Sequence, residues 1–305
     1  MKVLLIGFGS IGKRHFVILS SFKNVTAIDV VTKQNIKNED ALFFKKLTDV
    51  HDIERYDYFV IASETAKHYQ QLKYVCSKVD NKKVVVEKPL YDKRYEEFVC
   101  NNNVFTAYNL RFHPVLERLK SIIDNEQVYY VSAICGQYLP SWRPEQDYKL
   151  SYSADINQGG GVLRDLSHEL DYLTWLFGDI NKIDSINTKI SDLDINSDDI
   201  FTAIAVTDHK TIVNVTVDYI SKIPMRRLIV HAENSTIEVD LINNSITISD
   251  KKASVTVIKI EAKDRNYTYT KMHESIMNDE FKTICSFEEG KKVVDIIDGI
   301  EFKGL

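Results

Sequence analysis

A short apolar run near the N-terminus, Val3-Leu4-Leu5-Ile6, leads directly into Gly7-Phe8-Gly9-Ser10-Ile11-Gly12. An unbroken apolar run of this length reads as a strand buried on both faces, the kind that parallel sheets contain. The three glycines after it answer three separate steric demands. Gly7 permits a tight turn, Gly9 lets the backbone approach a pyrophosphate, and Gly12 lets the next helix pack on the strand. Ser10 and Ile11 open that helix, whose N-terminus faces the anion. Alone the pattern is common; at the first strand-to-helix turn of an alternating segment it is far more selective. Alternation does follow. The spacing predicts a helix over 10–22, strands over 25–31, 58–62, 83–86 and 104–108, and a helix over 66–78. Such an order predicts an α/β Rossmann domain, a parallel sheet with right-handed crossovers.

After Asn109 the pattern changes. A helix over 114–123 precedes alternating runs at 129–135, 202–206, 212–219, 228–231, 236–241, 245–248 and 255–260, with turn pairs such as Asn243-Asn244 and Asp250-Lys251. These predict an α+β domain with a large, mostly antiparallel sheet. One long helix is expected within it, over 162–177. The expected division is therefore 1–110 for a dinucleotide-binding domain and 111–305 for a second, α+β domain. A length of 305 residues supports two domains, and a net charge of −5 argues against a nucleic-acid partner. No apolar run approaches the roughly 18 residues of a membrane span, and the N-terminal run is too short for a secretory leader. Cys76, Cys100, Cys135 and Cys285 form no CxxC pair and have no histidine at metal spacing. They read as reduced, buried thiols in a cytoplasmic protein without a metal.

Three further segments carry a family resemblance. Val86-Glu87-Lys88-Pro89-Leu90 follows a buried strand, Tyr108-Asn109-Leu110-Arg111-Phe112-His113-Pro114 marks a crossover, and Gly159-Gly160-Gly161-Val162-Leu163-Arg164-Asp165-Leu166-Ser167-His168-Glu169-Leu170-Asp171 opens a helix. With the glycine turn, they resemble the glucose–fructose oxidoreductase, inositol dehydrogenase and MocA (Gfo/Idh/MocA) family over essentially the whole chain. Ala62-Ser63-Glu64-Thr65-Ala66-Lys67-His68 is similar to the family's third nucleotide loop, with Glu64 in place of the usual proline. The run from Gln137-Tyr138-Leu139-Pro140-Ser141-Trp142-Arg143-Pro144 to Tyr172 resembles members that accompany surface-polysaccharide and nucleotide-sugar synthesis. The resemblance implies hydride transfer between a nicotinamide and a hydroxyl or keto carbon of a sugar. It also implies a homodimer or homotetramer built through the C-terminal sheet.

It further implies site residues. Lys88 binds the reacting hydroxyl, where an ammonium favours the developing alkoxide. Ser63, Thr65, His68, Glu87 and Lys88 join Gly7, Gly9, Ser10, Ile11 and Gly12 around the cofactor. For the ribose, Asp29 falls early and could be a mid-strand residue, whereas Thr32-Lys33 ends the strand with a hydroxyl and a cation that suit a 2′-phosphate. The sequence thus inclines to NADP without excluding NAD. On the expected helix over 162–177, Leu163, Leu166, Leu170, Leu173 and Phe177 form one stripe, and Arg164, Asp165, His168, Asp171, Tyr172 and Trp175 the other. His168 is the expected proton carrier, and Asp165 or Asp171 would orient its ring. The family's acid stands four residues before this histidine, where this chain has Arg164. Only 10 of the 39 basic residues are arginines. Arg111, Arg143, Arg226 and Arg227 lie at segment junctions, and a planar fork suits phosphate. Arg111, Arg143, Trp142 and Asp171 are the expected substrate contacts. Two other functions fit the same residues: a dinucleotide-binding regulator without catalysis, and a reductase of a non-sugar ligand.

Overall fold

The computed structural model describes residues 1–36, 41–300 and 302. Two compact units emerge, Met1–Phe112 with Asp264–Asp295, and His113–Lys263 with 296–300.

The first unit begins β1 (Lys2–Ile6), α1 (Ser10–Ser20), β2 (Ala27–Val31), β3 (Phe43–Phe44), β4 (Tyr58–Ile61), α2 (His68–Cys76), β5 (Lys83–Val86) and β6 (Asn103–Thr106). The strands lie in the order β3-β2-β1-β4-β5-β6, all parallel. That is the strand order of a dinucleotide-binding fold, whose ligand lies where the order reverses, beside the carboxyl ends of β1 and β4. Leu4, Val60, Val84 and Val85 are fully buried, as expected for strands covered on both faces.

The second unit contains α3 (Pro114–Ile123), β7 (Val128–Gly136), α4 (Val162–Asp165), α5 (His168–Phe177) and strands β8 (Ile180–Thr188), β9 (Ile200–Thr207), β10 (Ile212–Asp218), β11 (Met225–Ala232), β12 (Ser235–Asp240), β13 (Ser245–Asp250) and β14 (Val255–Lys259). The eight strands run β14-β13-β12-β11-β7-β10-β9-β8, antiparallel except for the β10–β7 pair. One face is apolar and helix-covered: Val131, Ala133, Val213, Val215, Leu228 and Val230 are buried, with α3 on β12 and β13 and α5 on β7. The opposite face leaves Ile186, Ile204, Ile212, Ile229, Val255 and Val257 exposed.

Three sequence expectations need correcting. The helix expected over 162–177 is two helices: Glu169 N–H reaches back to Leu166 O, a tight three-residue return that breaks the α ladder at Leu166-Ser167. The chain also does not stay in the second unit to its end. α6 (Tyr267–Met277), β15 (Cys285–Ser286) and the start of α7 (Phe287–Asp298) complete the first unit. There β15 adds an antiparallel edge to β6, while Met272, Ile276 and Ile284 enter the core beside Val3, Leu5 and Phe105. Their apolar burial outweighs their distance along the chain. Finally, Cys76 and Cys100 are joined by a disulfide, leaving Cys135 and Cys285 as the buried thiols. Their spacing held no CxxC signal because α2 and the segment before β6 bring them together only in the fold.

Candidate functional site

The glycine turn has the geometry its sequence implies. Gly7 sits at φ +104°, where a side chain is strained, and a Cβ there would lie 2.4 Å from Ala62 O. A Cβ on Gly12 would meet Gly7 O at 2.3 Å, so the helix packs on the turn without room for a methyl group. Gly9 is different. It caps α1 in an extended conformation, and nothing lies within 4 Å of where its Cβ would be. That open space beside the exposed Ser10 and the first turn of α1 fits a pyrophosphate.

Around it stand the carboxyl ends of four parallel strands. After β1 comes Gly7; after β4, Ser63, which donates to Gln71 Oε1 at 2.6 Å; after β2, Thr32 and the exposed Lys33; after β5, Glu87 and Lys88. Thr65 follows on the β4 loop, partly buried. Asp29 is not at this edge. Its Oδ2 accepts hydrogen bonds from Arg55 and Tyr56, both at 2.7 Å, and its Oδ1 accepts from Leu42 N, so it is a mid-strand anchor. His68 does not line the edge as expected. It is 1% exposed, its ring nitrogens 3.2 Å from the carbonyls of Pro89, Leu90 and Ser63, and burial lowers its pKa. It clamps the β4 and β5 loops together. Glu87 is also buried, accepting from Lys88 N at Oε2, while Lys88 is partly exposed ahead of a cis bond to Pro89.

In the second unit, Asp165 lies in a nest of hydroxyls. Its Oδ2 accepts from Ser153 Oγ and Tyr219 OH, each at 2.6 Å, and its charge, ahead of burial, raises the pKa of Tyr152. Trp142 packs edge-to-face on Tyr219 at 5.2 Å with its buried indole N–H unpartnered. Arg143 beside them is exposed; its carbonyl accepts from Gln146 N, and among the described residues no hydrogen bond or ion pair engages its guanidinium. His168 opens α5, partly buried.

Several expected contacts are placed elsewhere. Arg111 is 1% exposed and paired with Glu289 at 2.7 Å within the first unit; a guanidinium so enclosed offers no face to a substrate. Asp171 is fully buried. Arg226 spends its fork on the fully buried Glu169, Nε donating to Oε1 at 2.7 Å; burial, with the Arg226 charge second, lowers the His113 pKa to about 4. Asp171 is out of reach because α5 is enclosed on both of its faces, with Asp171 and Tyr172 as deeply buried as Leu170 and Leu173. Ser153, Tyr152 and Tyr219 were missed altogether: hydroxyls scattered over a loop and a strand end carry no periodic signal.

A sheet of this order, with an open glycine turn and a lysine at the end of β5, defines a nicotinamide-dependent oxidoreductase, and the comparisons agree. Residues 1–103 match the model described as "Oxidoreductase family, NAD-binding Rossmann fold", and residues 116–238 the "GFO/IDH/MocA C-terminal domain". The chain belongs to the Gfo/Idh/MocA family. A search of curated proteins returned no match. Among solved structures, the chain resembles the UDP-N-acetylglucosamine 3-dehydrogenase GnnA from Acidithiobacillus ferrooxidans, with 15% identity, a TM-score of 0.74, and 97% of this chain and 95% of that one covered. A levoglucosan dehydrogenase in complex with NADH and levoglucosan has 15% identity, a TM-score of 0.78, and coverage of 98% and 95%. An oxidoreductase from Agrobacterium radiobacter in complex with NAD+, L-tartaric acid and magnesium has 13% identity, a TM-score of 0.78, and coverage of 98% and 94%. At these identities the likeness is one of fold.

Proposed function

We propose that this oxidoreductase moves a hydride between a nicotinamide dinucleotide and a hydroxyl-bearing carbon of a nucleotide-linked sugar, of the kind made for surface polysaccharide. The dinucleotide, when bound, supplies or accepts the hydride. The chain's own residues do the rest. Backbone N–H groups at Gly9, Ser10 and Ile11 hold the pyrophosphate, Thr32 and Lys33 hold the ribose, and Ser63 and Thr65 lie beside the next strand end. Lys88 stabilises the alkoxide that develops on the reacting carbon. His168 carries the proton, and Asp165, its carboxyl group held by Ser153 and Tyr219, orients the ring.

For the nucleotide handle, one observation weighs most: Arg143, exposed and unengaged, stands beside Trp142 and Tyr152. A free guanidinium next to an aromatic surface suits a phosphate and its sugar or base. One fold neighbour is named for a UDP-sugar. The test compares turnover of UDP-N-acetylglucosamine, levoglucosan and myo-inositol with NAD+ and NADP+. The nucleotide sugar should turn over fastest, and Arg143→Ala should raise its KM about tenfold, the value of one charge-assisted contact. A free sugar or polyol turned over as fast, with Arg143→Ala silent, overturns the nucleotide assignment. Thr32 and the exposed Lys33 at the end of β2, a hydroxyl and a cation, support NADP. Lys33→Glu should then weaken NADPH binding and leave NADH binding nearly unchanged.

A further inference from the structure

Behind the glycine turn lies a line of buried polar groups that the proposed chemistry does not use. Glu87 Oε1 is 2.8 Å from His15 Nε2; His15 Nδ1 is 2.8 Å from His273 Nε2; His273 Nδ1 is 2.7 Å from Tyr58 OH. All four residues belong to the first unit. His15, His273 and Tyr58 are fully buried and Glu87 is 6% exposed. They come from four elements: the end of β5, α1, α6 and β4. Such a line is costly to bury unless every donor meets an acceptor.

The donor inventory allows an arrangement in which every group is satisfied. A neutral imidazole offers one N–H and one lone pair, and an ionised carboxylate only accepts. Glu87 already accepts the Lys88 N–H at its other oxygen, 3.1 Å away. With Glu87 ionised and both imidazoles neutral, every donor points the same way: Tyr58 O–H to His273, His273 Nε2–H to His15, His15 Nε2–H to Glu87. Burial opposes charging the two groups farthest from Glu87: it pushes the Tyr58 hydroxyl up and the His273 imidazole down. Against this line also stand the ring of Tyr269, beside His15, the Arg14 guanidinium stacked on Tyr269, and His68, which feels the Glu87 charge.

We propose that His273, acting through His15, is a positioning residue for Glu87 and hence for the backbone at Lys88. The inference rests on reading Lys88 as the group that meets the reacting carbon. α6 thereby supplies, from nearly the other end of the chain, the hydrogen bond that fixes which way the Glu87 carboxylate faces. A carboxylate so held offers its second oxygen to the Lys88 N–H and sets the start of the Lys88-Pro89 turn.

The experiment uses the full chain without cofactor. Histidine 15N spectra near neutral pH should show His15 and His273 as neutral Nε2–H tautomers, with a nitrogen–nitrogen coupling across the His273–His15 hydrogen bond. His273→Phe removes the donor while keeping a ring, and His273→Gln keeps an N–H. Hydrogen exchange at the Lys88 amide should quicken at least tenfold in His273→Phe and less than threefold in His273→Gln, while amides of β1 keep their rates. Absence of the coupling, imidazolium shifts at His15, or equal Lys88 exchange in wild type and His273→Phe overturns the proposal. If His273→Phe does not fold, the wild-type coupling and tautomers and the folded His273→Gln variant still decide it. None of these readouts needs turnover. Full activity in Lys88→Ala would instead defeat the catalytic reading of Lys88, leaving the chain of hydrogen bonds intact.

Discussion

Gly7 and Gly9 show how two residues of one type, two positions apart, answer to different demands. At Gly7 a side chain is barred by the fold itself, through a positive φ and the Ala62 carbonyl, so Gly7→Ala should destabilise the protein by about 1–3 kcal/mol. At Gly9 nothing in the protein stands in the way. Gly9→Val should therefore keep the melting temperature within a few degrees yet weaken dinucleotide binding at least tenfold, as read by titration of NADH and NADPH fluorescence. Unchanged affinity in the folded variant would mean that the cofactor lies elsewhere. The proposed chemistry separates in the same way. Lys88→Ala and His168→Ala should each lower kcat by about a hundredfold or more, the usual worth of such groups, while dinucleotide affinity changes less than threefold. At this scale the sequence was informative wherever a residue's spacing along the chain determines its role. The glycine turn and the Glu87-Lys88-Pro89 turn are of that kind. It was silent where the role comes from a distant partner: neither the Arg111–Glu289 pair nor the hydroxyls around Asp165 has a local signature.

Among the elements, β1, β4 and β5 were recognisable from apolar runs alone, because strands buried on both faces need no alternation to be found. α6 and the N-terminal part of α7 were not, since their apolar residues meet a core whose strands lie more than 150 residues earlier. The histidines bound into these elements give the fold a pH dependence with a definite sign. Burial lowers the pKa of His68, His113 and His273, the last also through His15 and His113 also through Arg226. Each stays neutral when folded and takes up a proton when the chain unfolds below about 6.5, the ordinary histidine value. Their contribution is complete above that pH and shrinks as pH falls. Asp198, raised to about 6 chiefly by burial, works the other way, because its cost is relieved on acidification. Three groups oppose one, so the unfolding midpoint should be flat above pH 6.5 and fall between 6.5 and 4, with a slope of up to about 1.4 kcal/mol per pH unit for each net proton. A midpoint that rises over that range would contradict the burial of these rings. The Cys76–Cys100 bridge closes a loop of 24 residues, and Cys100→Ser should cost about 3 kcal/mol by denaturant titration under oxidising conditions.

At the scale of the molecule, the open face of the eight-stranded sheet bears on assembly. Ile204 and Ile212 stand exposed on the adjacent strands β9 and β10, with Ile229 on β11 beyond β7 and Val255 and Val257 farther along the same face. We expect a second copy of the chain to cover them, as such patches commonly mark an interaction surface. Light scattering should give a dimer or tetramer for the wild type and a monomer for the Ile204→Lys, Ile229→Lys double variant; a wild-type monomer would refute this. The two-domain plan was legible from the change in periodicity near residue 110, but the path of the chain was not, because periodicity reports an element's shape and not its neighbours. That path has a consequence for biosynthesis. The second unit lies within 113–263 but for a short return at 296–300, whereas the first lacks Met272, Ile276, Ile284 and His273 until α6 and β15 have been made. A nascent chain halted anywhere before α6 therefore presents a glycine turn without the core behind it, and the order of synthesis ties readiness to take up a dinucleotide to the arrival of a segment made more than 150 residues after that turn.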